Sequence, residues 1–156
     1  MMTMSLTEPN GDLLMEKKHS DRYEAGIKIR KQVMGEEYIN SLFSVADGFF
    51  DEVQELATES WGTVWSRPGL SLRDRSLIEI GILTALNYPT ELRTHIVGAI
   101  HNGVSPEEVR EVLLQTVAHC GFPAAVAGFK VARGVLQNFD ANVVPDLAEQ
   151  GWDDKR

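Results

Sequence analysis

The stretch HNGVSPEEVREVLLQTVAHCG, residues 101–121, contains the clearest helix signals of the sequence. Ser105 can cap a helix N-terminus, Pro106 suits the first helical position, and Glu108 stands at the third position of a capping box. Gly121 then ends the segment. The stretch therefore predicts a helix over 106–120. Its expected buried stripe, at helical spacing, is Val109, Val112, Leu113, Thr116, Val117 and Cys120.

Helical periods continue on the N-terminal side of this segment, and no strand pattern competes with them. The segment ELRTHIVGAIHN (91–102) follows Thr90 as its capping residue and stops at Asn102-Gly103. The segment LRDRSLIEIGILTAL (72–86) follows Ser71 and is apolar on nearly every side after Arg75. A helix of that kind is typical of the middle of a core or of an oligomer interface.

Three further helices complete the prediction. The first runs from Asp21 to Gly35, the second from about Glu36 to Trp61, and the last from about Pro123 to Phe139. The second has apolar residues at helical spacing, with Gly48 as a local weakness: Leu42, Val45, Phe49, Val53 and Leu56. The sequence thus predicts an all-α, single-domain bundle of six helices over residues 20–139. A flexible N-terminal arm (1–19) and a polar C-terminal tail (140–156) flank it.

Composition excludes several classes of protein. The chain has 156 residues, 43% of them hydrophobic, and one cysteine, so it can bury a core without a disulfide. A net charge of −8 argues against general binding to nucleic acid. No apolar run reaches membrane-spanning length, and the first residues lack the apolar segment of a signal peptide. We expect a cytoplasmic protein that binds no nucleic acid and no membrane. Its apolar helices predict a homo-oligomer.

Five segments together resemble the carboxymuconolactone decarboxylase family. They cover nearly the whole chain between residues 21 and 139, in the order and spacing that the family uses. The segments are RYEAGIKIRKQVMG (22–35), WSRPGLSLRDRSL (65–77), ELRTH (91–95), HNGVSPEEVREVLLQ (101–115) and HCGFPAAVAGF (119–129). The resemblance implies an alkylhydroperoxidase-like helical fold and an assembly into trimers or hexamers.

The wider superfamily includes peroxidases with a C-x-x-C-x-x-x-H motif on the helix before the G-x-S-x-E-E turn. Matched to that motif, the family histidine falls on His95, while Glu91 and Tyr88 replace the two cysteines. The relay glutamate of the peroxidase branch falls near Ser76, and Cys120 matches neither cysteine position. Without a resolving thiol, the resemblance argues against peroxidase chemistry.

The resemblance implies decarboxylation of the anionic lactone 4-carboxymuconolactone in aromatic-compound catabolism, within the beta-ketoadipate pathway. Loss of carbon dioxide leaves negative charge on a ring carbon, and the double bond passes that charge to the lactone carbonyl oxygen. Because the substrate contains its own electron sink, no metal and no organic cofactor are expected. The enzyme must supply cationic anchors, donors to the developing oxyanion, and an acid that protonates the dienolate carbon.

His95 is the first candidate for that acid or for the oxyanion donor, and Glu91 is the second catalytic candidate. Four residues separate them, so both side chains can project from one helical face. A neighbouring carboxylate favours the protonated imidazole, which would keep His95 available as an acid. Each residue also has a structural interpretation, since His95 can border the core and Glu91 can favour a helix N-terminus.

Substrate binding is predicted for arginines and for two further side chains. Guanidinium groups grip carboxylates bidentately, so we expect roughly two of the four candidate arginines to bind substrate. Trp65, beside Trp61, can wall the pocket, and His119 can line it. Cys120 is expected in the core. The four candidate arginines are Arg67, Arg73, Arg75 and Arg93.

Two glutamates, Glu79 and Glu108, are explained by structural roles rather than catalytic ones. An ion pair with Arg75, one turn earlier, explains Glu79 better than a catalytic acid with a raised pKa does. The capping box fully explains Glu108.

Other functions stay open at this point. A thiol-dependent peroxide reductase would use Cys120, and a cofactor-free lactone hydrolase or isomerase would use the same pocket on a shifted substrate. A non-catalytic oligomeric binding protein would keep its function when the pocket residues are changed.

Overall fold

The backbone of the described residues is entirely helical. The computed structural model describes residues 19–45 and 48–137, and these ranges form seven α-helices and no strand. This confirms the all-α fold class. The predicted arm, apart from His19, and the predicted tail lie outside the described residues, as does the expected end of the last helix at Phe139. The helices are α1 (Asp21–Met34), α2 (Glu36–Val45), α3 (Asp51–Val64), α4 (Leu72–Leu86), α5 (Pro89–His101), α6 (Pro106–Cys120) and α7 (Phe122–Gln137).

The single helix predicted over 36–61 was wrong, because α2 and α3 are separate helices. The described residues between them, 48–50, form a turn that includes Gly48. The apolar stripe expected on this segment does not stay together: Leu42 is buried, whereas Phe49 is 85% exposed. Val53 and Leu56 on α3 are also exposed. Turning the chain here lets α3 pack a different face.

That face of α3 is made of small and polar residues, and it packs closely against α1. A Cβ atom added at Gly26 would lie 1.9 Å from the carbonyl oxygen of Thr58, and one at Gly62 would lie 1.7 Å from that of Arg22. No real Cβ atom tolerates such distances, so both glycines are needed for the two backbones to touch. The close contact between α1 and α3 brings the side chains of α3 within hydrogen-bonding reach of α1.

The buried apolar residues form two clusters. The larger cluster lies among α4, α5, α6 and α7, with Ile80, Ile96 and Leu113 fully buried. The smaller cluster is formed by α1 and α2 with Trp65. Helix α5 also packs against α1, where Gly98 faces the backbone of Val33. The clefts between α5 and the first three helices therefore lie at the boundary between the two clusters.

Local signals placed several helix ends correctly. Ser105 and Glu108 form the predicted capping box, and the Ser71 side chain accepts a hydrogen bond from the backbone N–H of Asp74. Thr90 is not a cap, because α5 already begins at Pro89 and Thr90 lies inside its first turn. A proline at the first helical position supplies the required φ without a capping side chain.

Much apolar surface stays exposed on the single chain. Ile78, Ile82 and Leu86 of α4 are exposed, and so are Val117 and Cys120 of α6, which were predicted to be buried. Helix α6 turns only the narrower face of Val109, Leu113 and Thr116 to the core. The predicted homo-oligomer stays a prediction. Across the described ranges, no helix is both long and apolar enough to cross a lipid bilayer.

Candidate active site

A small cavity lies where α5 meets the first three helices. Its volume is ≈ 150 Å³, which suits a small metabolite, since pockets for drug-sized ligands begin at roughly 300 Å³. The lining combines apolar side chains with titratable groups of α1, α2 and α5. The lining residues are Arg30, Met34, Tyr38, Ile39, Leu42, Trp61, Thr90, Glu91, Thr94 and His95.

His95 and Glu91 line this cavity together, from successive turns of α5. His95 is half-buried, and its ring centroid lies 6.0 Å from that of Trp61. Glu91 is exposed. Both residues thus share one face of α5, as their spacing predicted, and their catalytic roles stay a prediction.

The charge predicted for His95 was wrong. Burial lowers the pKa of His95 to about 4, and the positive charge of Arg30 lowers it further. Burial penalises the charged imidazolium, and a nearby cation does the same. The imidazole is therefore neutral at pH 7, one nitrogen carrying a proton and the other able to accept one. The exposed carboxylate of Glu91 does not reverse these two effects.

Arg30 is the charged residue that the sequence analysis missed. It lies on α1, is only 7% exposed and lines the cavity. Its Nη1 donates to the Thr58 Oγ1 at 2.7 Å, and its Nη2 donates to the Gln54 Oε1 at 3.1 Å. Its guanidinium carbon also lies 5.8 Å from the ring centroid of Phe43. Within the described residues, no carboxylate forms an ion pair with it.

A signal for Arg30 was present in the sequence. Arg30 shares the inward side of α1 with Ile27, Val33 and Met34, where an arginine is out of place. A charge on the buried face of a helix needs a partner or a ligand. Only the tertiary structure shows that its hydrogen-bond partners among the described residues, Thr58 and Gln54, are uncharged.

None of the four predicted arginines lines the described part of the cavity. Arg73 forms an ion pair with Glu108 and lies over the N-terminus of α6. Arg75 donates from Nη2 to the carbonyl oxygen of Arg67 at 3.0 Å, which fixes the loop before α4. Arg93 leaves α5 toward Gly134 of α7.

Trp65 and His119 also depart from the predicted pocket. Trp65 stacks on Trp61, with ring centroids 4.2 Å apart, and lies behind it in the smaller core cluster. It therefore supports the cavity wall that Trp61 forms. His119 and Cys120 are exposed and line a separate groove of ≈ 380 Å³ at the end of α6, beside Gly81 of α4.

The two remaining glutamates lie away from the cavity. Within the described part of the chain, Glu79 forms no ion pair with Arg75, so that explanation was wrong; burial raises the pKa of Glu79. The pKa of Glu108 is lowered, first by the hydrogen bond from the backbone N–H of Ser105 and then by Arg73. The capping-box interpretation of Glu108 agrees with these contacts.

The cavity combines three chemical features. A buried guanidinium can bind a carboxylate, a neutral imidazole can donate or accept one hydrogen bond, and the side chains of Met34, Ile39 and Leu42 supply apolar surface. The described residues contain no group of three or more His, Cys, Asp or Glu side chains arranged to hold a metal ion.

The structure thus defines an all-α protein whose small cavity joins a buried arginine to a neutral histidine. The chain belongs to the carboxymuconolactone decarboxylase family, whose profile matches residues 51–134. This confirms the family that the sequence resembles. Helix α1, which carries Arg30, precedes the matched range.

Two relatives narrow the enzyme class. The chain is 37% identical over 130 residues to the nitrosuccinic acid decarboxylase of Metarhizium robertsii, covering 83% of this chain and 91% of that protein. It is 35% identical over 126 residues to the 4-carboxymuconolactone decarboxylase of Acinetobacter baylyi, covering 80% and 92%. Both relatives are decarboxylases, which confirms the expected enzyme class, a carboxy-lyase.

Proposed function

We propose that this chain decarboxylates 4-carboxymuconolactone, or a close lactone acid, without a cofactor. The observation that carries the proposal is the buried guanidinium of Arg30, which lines the same cavity as His95 and has only uncharged side chains as hydrogen-bond partners among the described residues. The likeness to a 4-carboxymuconolactone decarboxylase supports the choice of acid. The proposal includes the beta-ketoadipate pathway of aromatic catabolism, a cytoplasmic location and a homo-oligomeric assembly.

Arg30 binds the carboxylate that the substrate keeps. A guanidinium offers two parallel N–H groups to a carboxylate, and burial strengthens that contact. The carboxylate that leaves then faces the apolar side chains of Met34, Ile39 and Leu42. An apolar surrounding favours neutral carbon dioxide over the charged carboxylate.

The reaction needs no electron acceptor from the protein. The bond between the ring carbon and the carboxylate breaks, and its electron pair moves through the double bond to the lactone carbonyl oxygen. The neutral imidazole of His95 donates its N–H to that oxygen as negative charge develops. A proton then adds to the ring carbon next to the lactone carbonyl. The ring double bond is left at the carbon that lost carbon dioxide, and the product is the enol-lactone.

His95 also delivers this proton once substrate is bound. Burial lowers the pKa of His95 in the free enzyme, and the positive charge of Arg30 lowers it further. A substrate carboxylate on Arg30 offsets the second of these effects. The imidazole can then take up a proton from solvent, to which the exposed Glu91 gives access. Glu91 is thus assigned a supporting role at the cavity mouth.

A second substrate class is favoured by the relative from Metarhizium robertsii. In a 2-nitro acid, the nitro group accepts the electron pair that carbon dioxide leaves behind. Such a dicarboxylic acid needs the same carboxylate anchor and the same hydrogen-bond donor. The two candidate substrates differ in the group that accepts the electron pair. Both need Arg30 to bind a carboxylate and His95 to donate a hydrogen bond.

The decisive experiment adds each acid to the purified protein and follows carbon dioxide release and product formation by NMR. We expect rapid release from 4-carboxymuconolactone and its loss in His95→Ala. The variant His119→Gln is the matched control, because His119 lies in the separate groove, and it should keep full activity. Release from nitrosuccinic acid alone would replace the first candidate with the second. Ring opening without carbon dioxide would instead indicate a lactone hydrolase.

A further inference from the structure

The two hydrogen-bond partners of Arg30 on α3 are buried, uncharged side chains. Thr58 is fully buried and Gln54 is 7% exposed, so both contacts with the guanidinium are shielded from water. Each supplies an oxygen atom that accepts a hydrogen bond, and neither carries a negative charge. Buried arginines are ordinarily neutralised by a carboxylate, because an unpaired buried charge is costly.

Neither partner reaches the cavity itself. Gln54 and Thr58 are absent from its described lining, whereas Arg30 is part of it. Gln54 and Thr58 lie one turn apart on α3, and the Thr58 hydroxyl also donates to the carbonyl oxygen of Gln54 at 2.7 Å. Thr58 therefore has a fixed hydroxyl orientation, with a lone pair left for Arg30.

We propose that Gln54 and Thr58 are positioning residues that hold the guanidinium of Arg30 at the cavity while leaving its charge available to a substrate carboxylate. An Asp or Glu in their place would hold Arg30 equally well and would neutralise it. This inference rests on the proposed function, in which Arg30 binds the carboxylate that the substrate keeps.

The substitution Gln54→Glu keeps the guanidinium of Arg30 in place but neutralises its charge, so it separates these two effects. It preserves the acceptor oxygen and nearly the same shape, but it adds a buried carboxylate against Arg30. We expect a higher melting temperature, because the buried charge gains an ion pair, and a KM raised by roughly tenfold or more, because the anchor is already occupied. The matched control is Gln32→Glu, which makes the same charge change at an exposed position of α1 and should change neither quantity.

The titration of His95 gives a readout that needs no substrate. A carboxylate on Arg30 offsets the cation that contributes to the low pKa of His95, so Gln54→Glu should raise that pKa in an NMR titration. A purely structural Gln54 predicts no such change. If the pKa of His95 in Gln54→Glu matches that in Gln32→Glu, the inference is overturned.

Thr58 is tested by a hydroxyl deletion with its own control. Thr58→Val should raise KM by up to about tenfold through loss of one charge-assisted hydrogen bond, and Thr58→Ser should restore it. Thr84→Val removes an equally buried hydroxyl, which bonds to Ile80 one turn back on α4, and should leave KM unchanged. Equal effects of both valine variants would overturn the role of Thr58.

Failure of the proposed function is distinguishable from failure of this inference. A wild-type protein that decarboxylates neither acid refutes the function. The pKa of His95 in Gln54→Glu still decides whether the charge of Arg30 is held uncompensated. A raised pKa supports the inference, and an unchanged pKa overturns it.

Discussion

Acidification should destabilise this protein through His95 in a defined pH window. The unfolded chain protonates this imidazole near its ordinary pKa of 6.5, whereas the folded chain protonates it only near 4. Between these values the unfolded state binds more protons, so the free energy of unfolding falls as the pH falls. The contribution of His95 is fully present above pH 6.5 and is lost by about pH 4.

The magnitude follows from the difference between the two pKa values. Each pKa unit corresponds to about 1.4 kcal/mol, so neutral burial of His95 makes the free energy of unfolding about 3 kcal/mol lower at pH 4 than at pH 7. Carboxylates titrate in part of the same window. The informative quantity is therefore the difference between the wild type and His95→Gln, a variant that cannot titrate there.

The assay is urea unfolding, followed by circular dichroism, at a series of pH values from 7 to 4. We expect the wild type to lose about 3 kcal/mol more than His95→Gln across the series. Parallel stability curves for the two proteins would refute the reasoning, since they would mean that His95 has similar pKa values in both states. An NMR titration of the wild type gives the same answer directly, with a midpoint near 4 expected.

Three further predictions concern the anchor, the contact between α1 and α3, and the thiol. Arg30→Met should reduce kcat/KM by about a hundredfold or more. The free energy of unfolding should change by less than about 2 kcal/mol, because removing a buried charge offsets the loss of two hydrogen bonds. A large loss of stability with intact kcat/KM would contradict this prediction. Gly62→Ala should cost about 3 kcal/mol in urea unfolding, because its Cβ meets the backbone of Arg22; Gly69→Ala, with open space around it, is the control. Cys120→Ser should leave decarboxylation unchanged, and loss of a peroxide reductase activity in this variant would instead support the thiol-dependent alternative.

Local sequence patterns predicted several helix ends and helical faces of the fold. The capping box at Ser105 and Glu108 depends on residues three apart, so sequence spacing alone could predict it. The shared face of Glu91 and His95 likewise follows from the helical period. The boundary between α2 and α3 was missed because Phe49 and Val53 continue an apolar period although they are exposed.

The sequence by itself determined the helical class and placed His95 and Glu91 side by side, because caps and helical periods act over one or two turns. Only the tertiary structure decided which arginine faces His95. Arg30 reaches the cavity because Gly26 and Gly62 let α1 touch α3, and because α5 packs on α1. The tertiary structure also decided that His95 is neutral, since its pKa depends on burial and on a cation 65 residues away in the chain, which spacing along one helix does not reveal.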